Sequence, residues 1–86
     1  MPRVSEFQGM AVCFYFEDHP PPHFHIRYGG GEVAVAILSG TAVDGVLPRR
    51  LAKTVREWTQ EHREELYANW DRVQRDLAPV PMGPPQ

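Results

Sequence analysis

The hydrophobic period of this chain changes once, at Pro48, and that change restricts the fold more than any other feature. Before Pro48, apolar residues alternate with polar ones or form short β-branched and aromatic runs, which are typical of strands. After it, apolar residues recur at three- and four-residue spacing from Leu51 to Leu77, as in an amphipathic helix. A chain of 86 residues can bury one small core. The sequence therefore predicts an α+β fold: a small N-terminal antiparallel sheet with helical structure packed on one face.

The first half predicts four or five strands. The predicted segments are residues 4–7, 10–16, 23–28, 32–38 and a weaker 41–46. Glycines at positions 29–31 predict a turn, because glycine readily takes positive φ, and Ser39-Gly40 predicts a second turn. Consecutive short strands joined by such turns pair as antiparallel neighbours.

The second half predicts either one long helix or two shorter ones. A single helix over residues 48–77 would be roughly 45 Å long. A domain of this size has a radius of gyration of about 12 Å. A break near residues 60–63 is therefore an alternative, although no glycine or proline marks it, and both arrangements remain open. Residues 78–86 contain four prolines and are expected to form a disordered tail after a single domain of residues 1–77.

Composition limits the partners and the compartment. The net charge is -2, which gives no overall attraction to nucleic acid or to an anionic membrane. No segment approaches the roughly 20 apolar residues that span a bilayer, and the first residues lack the apolar core of a signal peptide. We therefore expect a cytoplasmic protein with no membrane partner. The single cysteine, Cys13, excludes an internal disulfide and is expected to be a buried thiol.

Residues 17–27 hold three of the four histidines and three consecutive prolines, and this stretch is the candidate site. Side chains alternate between the faces of a strand. We therefore expect Phe24, Ile26 and Tyr28 to face the core. The other face is then lined by His23, His25 and Arg27.

Two chemistries fit this row of side chains. His23 and His25, with Asp18 or His19 as a third ligand, could hold zinc, manganese or iron and leave positions open for water. Without a metal, His23 and His25 could transfer protons on a phosphodiester while Arg27 clamps the anion. His23 and His25 are therefore candidate residues of both chemistries, and Arg27 is a candidate catalytic residue of the metal-free reaction. No cofactor follows with certainty from the sequence, and a divalent transition metal is the one to test.

In a third interpretation these histidines neither bind a metal nor take part in catalysis. The motif His-Pro-Pro-Pro-His would then fix the chain path between two strands, with His23 and His25 pairing with Tyr15 or Glu17. Such a polar face could still bind a partner, and this interpretation also remains open.

A cluster of cations follows Pro48, and it is the second candidate site. Four of the nine basic residues fall within eight positions: Arg49, Arg50, Lys53 and Arg56. With the free backbone N–H groups of a helix start, they could bind phosphate, nucleic acid or an acidic partner. The alternative is a solvated basic face neutralised by Glu57 and Glu61. Tyr67 and Trp70 could form an aromatic patch and support a homodimer.

Several motifs together resemble a known family. They are residues 2–9 (PRVSEFQG), 15–19 (YFEDH), 21–28 (PPHFHIRY), 45–50 (GVLPRR), 55–58 (VREW), 62–66 (HREEL) and 69–70 (NW). In this combination the chain resembles the prokaryotic family called domain of unknown function 4160. The resemblance implies a compact bacterial or archaeal protein of undetermined activity. It also implies a gene arrangement like that of a toxin–antitoxin pair.

Two functions are therefore expected. The first is a small cytoplasmic interaction module of a toxin–antitoxin-like pair, which binds a small protein partner, a second copy or nucleic acid. The alternative is a histidine-based or metal-dependent phosphodiesterase or nuclease that uses the face of His23 and His25.

Overall fold

The computed structural model describes residues 2–85, and its elements follow the change of period at Pro48. Five strands form one antiparallel sheet, and their order across the sheet is their order along the chain. Two helices follow, which confirms the α+β fold class. The elements are β1 (Arg3–Phe7), β2 (Met10–Cys13), β3 (His23–Tyr28), β4 (Gly31–Ala36), β5 (Ala42–Asp44), α1 (Arg49–Glu61) and α2 (Arg63–Gln74).

Strand β3 lies at the centre of the sheet, and its alternation sets both faces. It pairs with β2 on one side and with β4 on the other. Phe24 and Ile26 are fully buried on the face that packs against the helices, as predicted. Tyr28 was also predicted to face the core, but it is 38% exposed because it ends the strand beside the glycine turn.

The core is closed by α1 and α2 lying against this face of the sheet. Trp58 of α1 is fully buried, with its ring 5.2 Å from that of Phe7 and 5.9 Å from that of Phe24. Leu51 and Val55 of α1 and Leu66 and Val73 of α2 complete the buried stripe. Burying an aromatic side chain of this size contributes several kcal/mol, so Trp58 is the main contact between helix and sheet.

The helical segment is broken at His62, which resolves the choice left open by the sequence. His62 has φ −116° and ψ 20°, and its backbone N–H still donates to the Trp58 carbonyl. The His62 ring stacks on the Trp58 ring, and its Nδ1 lies 3.0 Å from the same carbonyl oxygen. A continuous helix over residues 49–74 would be roughly 39 Å long. The molecule extends only 33 Å along its longest axis, so the break lets α2 return over the sheet.

The proline-rich end was predicted to be disordered, whereas residues 78–85 have defined contacts. The Met82 N–H donates to the Val4 carbonyl at 2.7 Å, and the Trp58 indole donates to the Gly83 carbonyl at 2.9 Å. Asn69 donates to the Val80 carbonyl at 2.9 Å and accepts from the Val80 N–H at 2.7 Å. Prolines lack an N–H and have a fixed φ, so such a segment needs few partners to hold one path. Residue 86, the last of the predicted tail, lies outside the described residues.

Three strands are shorter than predicted, and each ends for a local reason. β2 ends at Cys13, before the loop that leads to the prolines, although Phe14 remains buried and donates its N–H to the Pro2 carbonyl. β4 ends at Ala36, where the turn to β5 begins. β5 keeps only three residues, and its pairing with β4 is irregular.

We expect Asn69→Ala to lower the free energy of unfolding by about 1–3 kcal/mol, because it removes two hydrogen bonds of a buried amide. Urea denaturation would measure the change, with Glu64→Ala on the exposed face of α2 as the control. A loss below about 0.5 kcal/mol, typical of surface substitutions, would contradict the packing of residues 78–85 against α2.

Candidate metal centre and cleft

The site lies on the face of the sheet opposite the core, at the start of β3. His23 and His25 lie together on this face, as the alternation predicted, and their ring centroids are 5.0 Å apart. Their side chains are only 8% and 12% exposed. Trp70 of α2 contacts the His23 ring at a centroid distance of 5.4 Å. The two imidazoles are therefore held in a partly buried environment rather than on an open surface.

Asp18 joins the two histidines from the loop between β2 and β3. Its Oδ2 atom lies 2.9 Å from Nε2 of His23 and 2.7 Å from Nε2 of His25. The loop is tied to the end of α2, because the side-chain amide of Gln74 donates to the Asp18 carbonyl at 2.7 Å. One carboxylate oxygen thus lies against both imidazoles.

The other ring nitrogen of each histidine also faces an oxygen. Nδ1 of His23 lies 2.7 Å from the Pro21 carbonyl oxygen, which can only accept, so Nδ1 carries the proton. Nδ1 of His25 lies 3.5 Å from Oε2 of Glu32. His23 is therefore held by a hydrogen bond from Nδ1 to Pro21, Glu32 lies at ion-pair distance from Nδ1 of His25, and both rings direct Nε2 at Asp18.

Tyr15 extends this arrangement at Glu32. Its hydroxyl donates to Oε1 of Glu32, and its ring packs on the His25 ring at a centroid distance of 4.1 Å. Burial, followed by the hydrogen bond to Glu32, raises the pKa of Tyr15 to about 12. The phenol therefore stays protonated and remains a donor to Glu32 at neutral pH.

Asp18 is the charged member of the cluster. Burial would raise the pKa of Asp18, but the hydrogen bond from His25, the charges of His23 and His25 and the backbone N–H of His19 together lower it below its ordinary 3.8. Asp18 is therefore a carboxylate at neutral pH, as a metal ligand must be.

The three donor atoms fit a single metal ion. They all lie within 4.8 Å of one another. Ligand atoms about 2.1 Å from one ion at tetrahedral angles are separated by roughly 3.4 Å. The pairs at 2.7 and 2.9 Å would open by about half an ångström to admit an ion. In addition, metal-bound histidines generally donate their other N–H to a carbonyl or carboxylate, the roles that Pro21 and Glu32 can fill here.

A cleft of about 290 Å³ opens beside the cluster. Its walls combine the donor residues with His19, Pro21, Ala34, Val43 and Asp44. The Asp44 carboxylate comes from β5 and is the second acid of the cleft. A three-ligand ion would therefore have a small cavity on its open side, which is the arrangement of catalytic rather than structural metal sites.

Two residues of the predicted site do not join the cluster. His19 is exposed, and its ring lies 5.9 Å from that of His23, so it borders the cleft without contributing to the three-donor set. Arg27 is exposed and lines a separate surface cleft with Arg3 and the glycine turn. The prediction that Arg27 clamps an anion beside the two histidines is not supported by this placement.

The basic residues at the start of α1 form a separate surface. They are all exposed, and none takes part in an ion pair within residues 2–85. Arg56 lies near Gly40, at the turn before β5. None of these cations lines the cleft beside His25. The two candidate sites of the sequence are thus distinct.

A larger surface depression, of about 520 Å³, lies at the junction of α1 and α2. It contains Glu61, Glu64 and Glu65 beside His62, whose Nδ1 faces the Trp58 carbonyl. Within the described chain, no set of three converging ligand atoms occurs there. The smaller cleft beside β3 is the better candidate, because the converging side chains lie there.

Sequence reasoning missed Glu32 as a site residue. The cross-strand register pairs Arg27 with Glu32, which places Glu32 diagonally opposite His25 on the same face. The glycines at positions 29–31 could have predicted this placement, because a tight turn there fixes the register between β3 and β4. Asp44 was missed because β5 is short and its pairing with β4 is irregular.

Fold and site together define a small α+β protein with a candidate metal centre of two histidines and one carboxylate. The chain belongs to the family described as Domain of unknown function (DUF4160), whose model matches residues 9–71. The match includes the donor residues, Glu32 and the basic start of α1. No curated protein and no solved structure matches the chain. None of the helices within residues 2–85 has the length and apolar character that crossing a membrane requires.

We expect the stability of the protein to fall as the pH drops below about 4. The pKa of Asp18 is lower in the folded state than its ordinary value of 3.8. The ionised Asp18 therefore stabilises the fold fully above pH 3.8, and this stabilisation is lost as the pH falls through the pKa of the folded state. Asp18→Asn should therefore be less stable at pH 7, by about 1.5–3 kcal/mol for a charged hydrogen-bond acceptor, and should show a flatter acid profile.

Urea midpoints measured from pH 7 to pH 2 test this expectation. Asp71→Asn is the matched control, because Asp71 makes only an exposed ion pair with Arg75. An acid profile for Asp18→Asn that is as steep as that of the unmodified protein would contradict the assignment.

Proposed function

We propose that Asp18, His23 and His25 bind one divalent transition-metal ion, and that this ion activates water for hydrolysis in the adjacent cleft. The observation that carries the proposal is the convergence of both Nε2 atoms on one carboxylate oxygen, with Nδ1 of His23 bonded to the Pro21 carbonyl and Nδ1 of His25 3.5 Å from Glu32.

The donor set favours a particular group of ions. Two imidazoles and one carboxylate suit zinc, manganese and iron and leave coordination positions for water and substrate. An ion held by these residues would lower the pKa of a bound water and polarise an ester or phosphoryl oxygen. Asp44, in the wall of the same cleft, is available to accept a proton from that water.

The charges around the cleft favour a metal-dependent over a metal-free reaction. A metal-free phosphodiesterase needs a cation to hold the phosphate, and Arg27 lies at a different cleft. Asp18 and Asp44 make the cavity acidic, so a bound divalent ion would supply the positive charge. Of the two phosphodiesterase or nuclease mechanisms expected from the sequence, the metal-dependent one is therefore better supported.

Titration of tag-free protein with Zn²⁺ or Co²⁺ should show one bound ion per chain. His23→Ala and His25→Ala should each weaken binding by more than about 100-fold, beyond the range typical of residues outside the ligand set. His19→Ala is the matched control and should bind normally. Binding weaker than about 1 mM in the unmodified protein would overturn the proposal.

Hydrolysis is tested with bis(p-nitrophenyl) phosphate and RNA as the first substrates. Turnover should require added metal and should be lost in His25→Ala. A protein that binds the ion but hydrolyses neither substrate would retain the metal centre and contradict the phosphodiesterase assignment.

Glu32→Gln should weaken metal binding by about 10–100-fold while preserving the fold, because Glu32 orients His25 without reaching the ion. The absorption spectrum of the Co²⁺ form should shift as the His25 ring is released, an effect that lost stability alone would not produce. Glu6→Gln, at an exposed ion pair on β1, is the control. Unchanged affinity and spectrum would show that Glu32 does not orient the ligand.

We propose as a second function that the protein is a cytoplasmic interaction module, one half of a toxin–antitoxin-like pair that binds a protein or nucleic-acid partner. Its support is the group of exposed cations at the start of α1, which lies apart from the cleft and has no ion-pair partner among residues 2–85. A bacterial or archaeal source belongs to the same proposal, through the resemblance noted in the sequence. The two functions use different surfaces and can coexist.

A further inference from the structure

Strand β5 is an edge of the sheet, and within residues 2–85 it pairs only with β4. All three of its residues are exposed. The opposite edge, β1, is accompanied by the proline-rich end, through the Met82 N–H on Val4 and the Ser5 hydroxyl on Gly83. An edge strand of this kind presents free backbone N–H and C=O groups to another chain.

The surface around β5 is unusually apolar for an exposed edge. Val43 is 59% exposed, and Leu38 and Val46, on either side of the strand, are 73% and 87% exposed. Groups of exposed branched side chains mark contact surfaces more often than isolated ones do. The edge therefore offers both hydrogen-bonding groups and apolar contact area.

A small groove separates β5 from α1. It has a volume of about 80 Å³ and is lined by Val35, Ala42, Leu47, Ala52 and Val55, with Arg56 among its walls. A strand added beside β5 would direct alternate side chains toward this groove. An apolar side chain of ordinary size fits there.

The cations of α1 complete the surface. Arg49, Lys53 and Arg56 lie on one exposed side of the helix, and the first turn contains no acidic residue. Arg56 lies beside the groove, whereas Asp44, the acid of β5, lines the His25 cleft on the other face, so the α1 side of the edge favours carboxylates on the incoming chain. The cations of α1 and the strand edge of β5 therefore both favour an extended, acidic polypeptide.

We propose that β5 pairs with an extended acidic segment of another polypeptide, which adds a sixth strand to the sheet. Its backbone hydrogen-bonds to Ala42–Asp44, and its side chains on the α1 side either enter the groove or meet the cations of α1. The proposal rests on the second function above and names its partner.

Other occupants fit this surface less well. A second copy joined through β5 would present the same surface on both sides of the interface, so it supplies no carboxylates that complement the cations of α1. Single-stranded nucleic acid is held by stacking on aromatic rings. The exposed large hydrophobic residues near β5 are all aliphatic, within the part of the chain that the structure describes.

The test uses an acetylated, fluorescent peptide in which every second position alternates valine with glutamate and the positions between are threonine, so that both reach the α1 side. A peptide with lysine in place of each glutamate is its charge-reversed counterpart. The acidic peptide should bind in the micromolar range, more weakly as salt is added, and should shift the amide NMR signals of residues 41–46. The basic peptide should not bind.

Arg49→Glu combined with Arg56→Glu should weaken binding of the acidic peptide by at least about 10-fold. Glutamate at position 49 lies in the first turn and favours the helix, and position 56 is exposed. An unchanged urea midpoint of the double variant shows that loss of binding does not reflect unfolding. Arg75→Glu, far along the chain at the end of α2, is the control and should bind like the unmodified protein.

Three outcomes would overturn the proposal. One is the absence of binding by the acidic peptide, and another is binding that the double variant leaves unchanged. The third is tighter binding of a single-stranded oligonucleotide to the same residues, which would leave the interaction module intact and replace its polypeptide partner with nucleic acid.

Discussion

The alternation of side chains along β3 is the constraint on which the rest of the molecule depends. Because β3 pairs on both sides, its backbone is fixed within the sheet, and each side chain has only one face available. Phe24 and Ile26 anchor the core under Trp58, while His23 and His25 converge on Asp18. A slip of one residue would put imidazoles into the core and aromatic and aliphatic side chains into the cleft, so the core's hydrophobicity also fixes the site's geometry.

The fold class and the histidine row could be predicted because each depends on a local period. The strand alternation around Phe24 and the helical stripe through Val55 and Trp58 are readable without any knowledge of tertiary contacts. The position of the helix break was harder to predict, because no glycine or proline marks it. The break depends on His62, whose backbone N–H donates to the Trp58 carbonyl and whose ring nitrogen Nδ1 lies beside the same oxygen. The contacts of residues 78–85 depend on a buried amide, Asn69, whose partner lies 11 positions away.

The site itself was only partly predictable, because its members come from three different segments. His23 and His25 follow from a single strand, but the choice of Asp18 over His19 depends on the path of a proline-rich loop. Pro21 supplies a carbonyl there that orients His23. Glu32 lies beside His25 because of the register between β3 and β4, whereas Arg27, further along β3, lines a different cleft. Spacing alone does not separate these cases, since each side chain lies on the expected face.

The hydrogen bond from Gln74 to the Asp18 carbonyl joins the site to the last turn of the final helix. Trp70, one turn earlier, packs on His23, and Arg72 donates to the Ala78 carbonyl beyond the helix. Helix ends fray more readily than central strands, and amide hydrogen exchange detects such local opening. The loop that carries Asp18 is therefore tied to the end of α2, whereas His23 and His25 are held by β3, which pairs on both sides. Opening of the last turn of α2 would release Asp18 and leave the two histidines in place.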